Sequence, residues 1–250
     1  MDKSARNKLI VALDVDSLAR ALELFEALRE VAGMFKIGPQ LFTAAGPEVV
    51  RRIVGLGGRV FLDLKFHDIP NTVAAAAVAA TRLGVSIFNL HASGGEEMMK
   101  RAVEAVDETS AREGIDKPAV IAVTLLTSMD QDTLRPLGIS SSPDDIVRKL
   151  ASLSHRCGLD GVVCSPLEIT LVRTAVPDPS FLIVTPGVRP AGSDAGDQRR
   201  AMTPIDAIRA GADYLVVGRP ILNASDPAEA ARRIVDDFLC KTAEATIMKQ

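Results

Sequence analysis

Asp63, Lys65 and Asp68 place two carboxylates and an amine within six residues, in the stretch Phe61-Leu62-Asp63-Leu64-Lys65-Phe66-His67-Asp68-Ile69-Pro70-Asn71-Thr72. An ion pair between Asp63 and Lys65, with Asp68 capping a helix, is the ordinary reading of such a group. Two features point further. A polar strand face flanked by apolar neighbours is costly to bury without a purpose. These residues also fall at the C-terminal end of their strand, where barrels and open α/β sheets carry their active sites. Lys36, in the apolar stretch Met34 to Gly38, adds a second amine. A lysine there is most often a snorkelling edge residue. With carboxylates in reach it becomes part of an alternating-charge array: Lys36, Asp63, Lys65 and Asp68. Each amine keeps its proton beside a carboxylate, and each carboxylate stays ionised beside an amine. Such an array can act on a charged substrate without a metal, and no cysteine–histidine cluster or dense carboxylate set supplies metal ligands.

These side chains need elements to hold them. Leu62, Leu64 and Phe66 alternate with Asp63 and Lys65, the period of a strand. Residues two apart share a face about 6.6 Å apart along it. Pro70 ends that strand's influence and suits the first turn of a helix, and the Ala-rich run Val73 to Ala80 continues as helix. Asp68 therefore sits on the turn. Strands two and three should be neighbours about 4.8 Å apart, which lets Lys36 point inward beside Asp63.

Eight short apolar runs recur along the chain: Lys8 to Val15, Met34 to Gly38, Arg59 to Lys65, Ser86 to His91, Ala119 to Leu126, Gly161 to Ser165, Phe181 to Pro186 and Tyr214 to Gly218. Helical patterns lie between them. One, capped by Ser17, carries Leu18, Leu22, Phe25 and Leu28; one runs to about Val54; one spans Asp144 to His155. A long charged helix follows Gly94-Gly95, and a last one covers about Pro227 to Lys241. Strands alternating with helices imply a parallel sheet with right-handed crossovers, and eight units over 1–250 predict one (β/α)8 TIM-barrel domain. A doubly wound open sheet is the alternative. It calls for a Gly-rich fingerprint after the first strand, and Asp14-Val15-Asp16-Ser17 is not one.

Composition excludes other classes. The 250 residues carry a net charge of −3, 47% hydrophobic residues, no Trp and one Tyr. That gives no electrostatic footprint for nucleic acid or a membrane surface and no aromatic platform for bases. Cys157, Cys164 and Cys240 are few, odd in number and without metal spacing, as in a reducing compartment. The amino terminus has no apolar signal region and no run reaches membrane-spanning length, so a cytoplasmic protein is expected.

The connection Gly187 to Gln198 is Gly-rich, polar and without helical pattern, so it reads as a mobile functional loop. Loops after the seventh and eighth strands commonly build a phosphate site on this barrel. Arg189 in that loop and Gly218-Arg219-Pro220 after the eighth strand supply charge and close backbone approach.

The run Asp63 to Thr72 resembles the D-x-K-x-x-D signature, with its I-P-x-T extension, of the orotidine 5′-phosphate decarboxylase family. Asp14, Lys36-Ile37-Gly38, Leu126-Thr127-Ser128, Pro186-Gly187-Val188-Arg189 and Val217-Gly218-Arg219-Pro220-Ile221 extend the resemblance along the chain. D-x-K by itself also resembles phosphosugar decarboxylases and aldolase-like synthases on related barrels; the combination is specific. The resemblance implies a TIM-barrel carboxy-lyase of pyrimidine biosynthesis that uses no metal or cofactor. It implies that Lys65 protonates C6 of the pyrimidine after carbon dioxide leaves, with Asp63 and Asp68 holding the amine. Lys36 and Asp14 would bind the ribose hydroxyls, and Thr127 (with Ser128 as the alternative) the base. Gln198 would bridge base and phosphate; Arg189, Arg219 and the Gly218 N–H would hold the phosphate. Asp68 and Thr72 would reach the partner's site in a homodimer. No catalytic role falls to His67, His91 or His155. A magnesium-dependent phosphosugar lyase and a non-catalytic phosphate-binding barrel are the competing readings.

Overall fold

In the computed structural model, residues 3–188 and 202–247 are described. Eight parallel strands close into a barrel in chain order: β1 (Leu9–Ala12), β2 (Met34–Ile37), β3 (Val60–Phe66), β4 (Ile87–His91), β5 (Ala119–Val123), β6 (Gly161–Val163), β7 (Leu182–Pro186) and β8 (Tyr214–Val217). β1 pairs with β8, so no edge remains and the open-sheet alternative is excluded. Closure also explains why the strand sequences read as continuous apolar runs: both faces are buried.

The two faces have different neighbours. Ile10, Ala12, Met34, Phe61, Ile87, Ile121, Val184 and Val216 pack together inside the barrel. The alternate residues, among them Leu9, Val11, Phe35, Ile37, Leu62 and Phe88, belong to the larger layer between barrel and helices. Along β3 this sends Leu62, Leu64 and Phe66 outward, and Asp63 and Lys65 follow Phe61 inward. Gly161 leaves room for β7, since a Cβ there would lie 2.3 Å from the Leu182 carbonyl oxygen.

Several boundaries depart from the periodicity reading. The helix expected to run on to about Val54 is two, Pro39–Ala45 and Glu48–Gly55, broken where Gly46 takes a φ of 63° and Pro47 follows. β1 and β5 are shorter than their apolar runs. The regular ladder ends there, with Leu13 N–H still donating to the Lys36 carbonyl at 3.0 Å and Thr124 N–H to that of Val163 at 3.2 Å, and the chain then turns so that Asp14, Leu125 and Leu126 line the pocket. The last helix extends to Ile247 and a short helix, Lys3–Asn7, precedes β1. Ser17 does cap the first long helix, accepting from the Arg20 N–H at 3.4 Å.

Candidate active site

The C-terminal ends of the strands surround a cavity of about 260 Å³. Its base is apolar, with Ala12, Phe61 and Val216. Its polar lining is Asp14, Lys36, Asp63, Lys65, Thr127 and Arg219, and Gly187 and Gly218 contribute backbone.

The charges form one connected chain. Lys65 Nζ donates to Asp63 Oδ1 at 2.6 Å. Lys36 Nζ lies 3.2 Å from Asp63 Oδ2 and donates to Asp14 Oδ1 at 3.1 Å. The strand register places them: Lys36 is level with Ala12 of β1 and Phe61 of β3, so its side chain rises between Asp14 and Asp63, two residues further along each neighbour. Lys36 and Asp63 are only 9% and 8% exposed, which removes most of the water that would screen the pair. Burial by itself would lower the Lys36 pKa; Asp63 and Asp14 outweigh it, and the ammonium is held above the ordinary lysine value. Gly38 serves this arrangement, because a Cβ there would come within 2.9 Å of Lys36 Nζ.

Lys65 reaches the cavity by an irregular backbone. Pairing of β3 with β4 runs Leu62↔Phe88 and resumes at Phe66↔Leu90. Asp63, Leu64 and Lys65 thus lie where β4 has only Asn89, and Lys65 takes a φ of 52°, the one non-glycine positive φ among the described residues. Asn89 fills the gap in the ladder. Its Oδ1 accepts the Lys65 backbone N–H at 2.8 Å and its Nδ2 donates to Asp63 Oδ1 at 2.7 Å. Sequence reading missed Asn89; the available signal was a polar residue at an inward position of an otherwise apolar strand.

Asp68 was expected in the array and is outside it within this chain. It is exposed on the turn after β3 and accepts the Ile69 N–H at 2.7 Å, and within the chain Lys36 also pairs with Asp14. Thr72 is likewise exposed, in the first turn of the helix Pro70–Arg82. Between them Ile69 is 67% exposed, unusual for an isoleucine. Thr127 lines the cavity, whereas Ser128 is exposed and outside its lining. Gly218 and Arg219 stand at the rim after β8. Arg189 and Gln198 lie outside the described residues. His91 stacks near His67, with ring centroids 5.4 Å apart; burial, then His67 and Lys65, push its pKa below the usual histidine value. Among the described residues no group of three or more histidine, cysteine or carboxylate side chains is placed to hold a metal ion.

Residues 7–234 match the family model described as "Orotidine 5'-phosphate decarboxylase / HUMPS family". The chain is 56% identical over 235 residues to an orotidine 5′-phosphate decarboxylase of Geobacter sulfurreducens, covering 94% of this chain and 97% of that one. An orotidine 5′-phosphate decarboxylase of Moorella thermoacetica is also 56% identical, over 94% of this chain and 93% of its own length. Among solved structures, orotidine 5′-phosphate decarboxylase from Lactobacillus acidophilus superposes with a TM-score of 0.81 at 38% identity, covering 92% of this chain and 98% of that one.

Proposed function

The chain belongs to the orotidine 5′-phosphate decarboxylase / HUMPS family, and from that premise we propose that it decarboxylates orotidine 5′-phosphate, yielding uridine 5′-phosphate and carbon dioxide. The observation that carries this reading is the chain of alternating charges on one side of an apolar-based cavity: Lys65, Asp63, Lys36 and Asp14.

The chemistry follows from where those charges stand. When the C6–carboxylate bond breaks, its electron pair stays on C6 and carbon dioxide departs neutral. A carbanion at C6 has little resonance help, so an ammonium fixed beside it stabilises charge as it develops. Lys65 Nζ is that ammonium; it then transfers a proton to C6. Asp63 aims it, and Lys36, ion-paired to both Asp63 and Asp14, prevents the carboxylate from turning away. Asp14 and Lys36 bind the ribose hydroxyls, and Thr127 the base. The Gly218 N–H and Arg219 take the 5′-phosphate together with Arg189, while Gln198 joins base to phosphate. Phosphate binding is remote from the reacting carbon, so its energy can serve orientation at the ring.

The whole chain works as one catalytic domain of a homodimer, with Asp68 and Thr72 completing the partner's site. The exposure of Asp68, Ile69 and Thr72 on one turn supports this. Among the described residues no helix is long and apolar enough to cross a membrane, and a place in pyrimidine biosynthesis suits the cytoplasm.

The competing phosphosugar lyase would need a divalent cation. Asp63 is a poor ligand for one, since Lys65 and Asn89 both donate to its Oδ1 and Lys36 is ion-paired with its Oδ2 at 3.2 Å. The fall in ultraviolet absorbance on adding orotidine 5′-phosphate tests the activity. Turnover should persist in excess chelator; loss restored by magnesium would favour the lyase chemistry instead.

A further inference from the structure

We infer that Asn89 is a positioning residue for the reaction, setting where the Lys65 ammonium and the Asp63 carboxylate stand relative to the reacting carbon. The inference rests on the decarboxylase reading and concerns a residue outside the charge array.

Asn89 is 1% exposed, in the middle of β4, facing the barrel interior between Ile87 and His91. A buried amide must find partners for its oxygen and its nitrogen. Here the partners belong to two successive inward residues of the neighbouring strand. The orientation of the amide is forced: a backbone N–H can only donate, so the atom 2.8 Å from Lys65 N must be the oxygen. The NH₂ then has to face Asp63, and a carboxylate can only accept at 2.7 Å. One side chain thereby reads both members of the pair, the backbone of one and the carboxylate of the other.

The irregular pairing makes this more than an ordinary buried amide. Where β3 bulges, the Lys65 N–H has lost its ladder partner, and Asn89 Oδ1 supplies the substitute. The left-handed φ of 52° at Lys65 is a strained conformation that surrounding contacts must maintain. Asp63 Oδ1 is in turn shared between Lys65 Nζ and Asn89 Nδ2, so rotation of the carboxylate breaks both bonds. An apolar residue of similar size would fill the space and anchor neither group.

Three variants test the role, with wild type measured alongside. Asn89→Ala and Asn89→Leu should lower kcat by about a hundredfold while KM and the affinity for uridine 5′-phosphate stay within about threefold, the pattern of a misplaced reacting group. Asn89→Asp keeps the acceptor for the Lys65 N–H but sets a second carboxylate against Asp63. Such a pair shares one proton when the pH is low enough, and the shared proton restores a donor at position 89. The ratio of its kcat to that of wild type should therefore climb as pH falls, and the ratio for Asn89→Leu should stay flat. A wild-type enzyme inert toward orotidine 5′-phosphate would remove the proposed function itself. An active wild type with near-normal kcat in Asn89→Leu overturns only this inference. So do flat ratios in all variants, or variants that unfold or lose uridine 5′-phosphate, since each marks Asn89 as structural.

Discussion

Lys65 sits 2.6 Å from Asp63 through its ammonium while its own backbone is in the left-handed region at φ 52°. The strand stores strain at the residue proposed to give the proton. For an L-residue that conformation costs about 1–2 kcal/mol, which glycine escapes.

Replacing Lys65 separates strain from charge. Lys65→Ala and Lys65→Gly both delete the ammonium and should both be inactive. At most sites alanine is the more stable of the two. Here the order should invert, with Lys65→Gly melting about 1–3 °C above Lys65→Ala. Thermal unfolding of the two proteins decides it, and a clear advantage for alanine would show that the backbone strain is absent in solution.

Lys36 carries a pH signature. Its folded pKa is raised above the ordinary lysine value by Asp63 and Asp14, so the array stabilises its charged form. That contribution is complete below the unfolded value and drains away as pH climbs through the folded one. The stability difference between wild type and Lys36→Met should accordingly be constant from pH 7 to 9 and shrink from about pH 10.5 upward. Denaturant unfolding at stepped pH measures it; a difference that grows with alkalinity would mean that Lys36 is destabilised by burial after all.

Arg219→Ala should impair substrate binding and leave the fold intact. A charge-assisted phosphate contact is commonly worth about 1.5–3 kcal/mol, or roughly 10- to 150-fold in affinity. The comparison is between substrates with and without the 5′-phosphate. An equal loss on both would remove Arg219 from the phosphate site.

A shared active site predicts rescue between dead chains. Asp68, past the end of β3, is turned to solvent together with Ile69 and does not reach Lys65 of its own chain within ion-pairing distance. In a mixed dimer of Lys65→Ala and Asp68→Ala chains, one site collects both lesions and the other collects none. Random pairing makes half the dimers mixed, so roughly a quarter of wild-type activity should return under two-fold symmetry. Co-expressed mixtures no more active than either parent would confine Asp68 to its own site.

The sequence by itself determined the barrel and most of the charged constellation, because both are written in short-range patterns. Alternation along Phe61 to Phe66 puts Asp63 and Lys65 on one face whatever surrounds them, and strand–helix repetition leaves few topologies. The break after Ala45 is also local, carried by Gly46-Pro47, but the apolar period continues across it and masks it.

Only the tertiary structure decided which neighbours complete the array. Sequence spacing puts Asp68 beside Lys65 and says nothing of Asp14 beside Lys36. Closure of the barrel sets Asp14 against Lys36, while the turn after β3 carries Asp68 outward. Asn89 was illegible for the same reason. A lone amide in an apolar strand has no local meaning, and its role depends on a register in which three residues of β3 stand against one of β4. Periodicity tells a side chain which face to take; the distances between faces are settled by how strands shift and close against one another, and those are sums over the whole core.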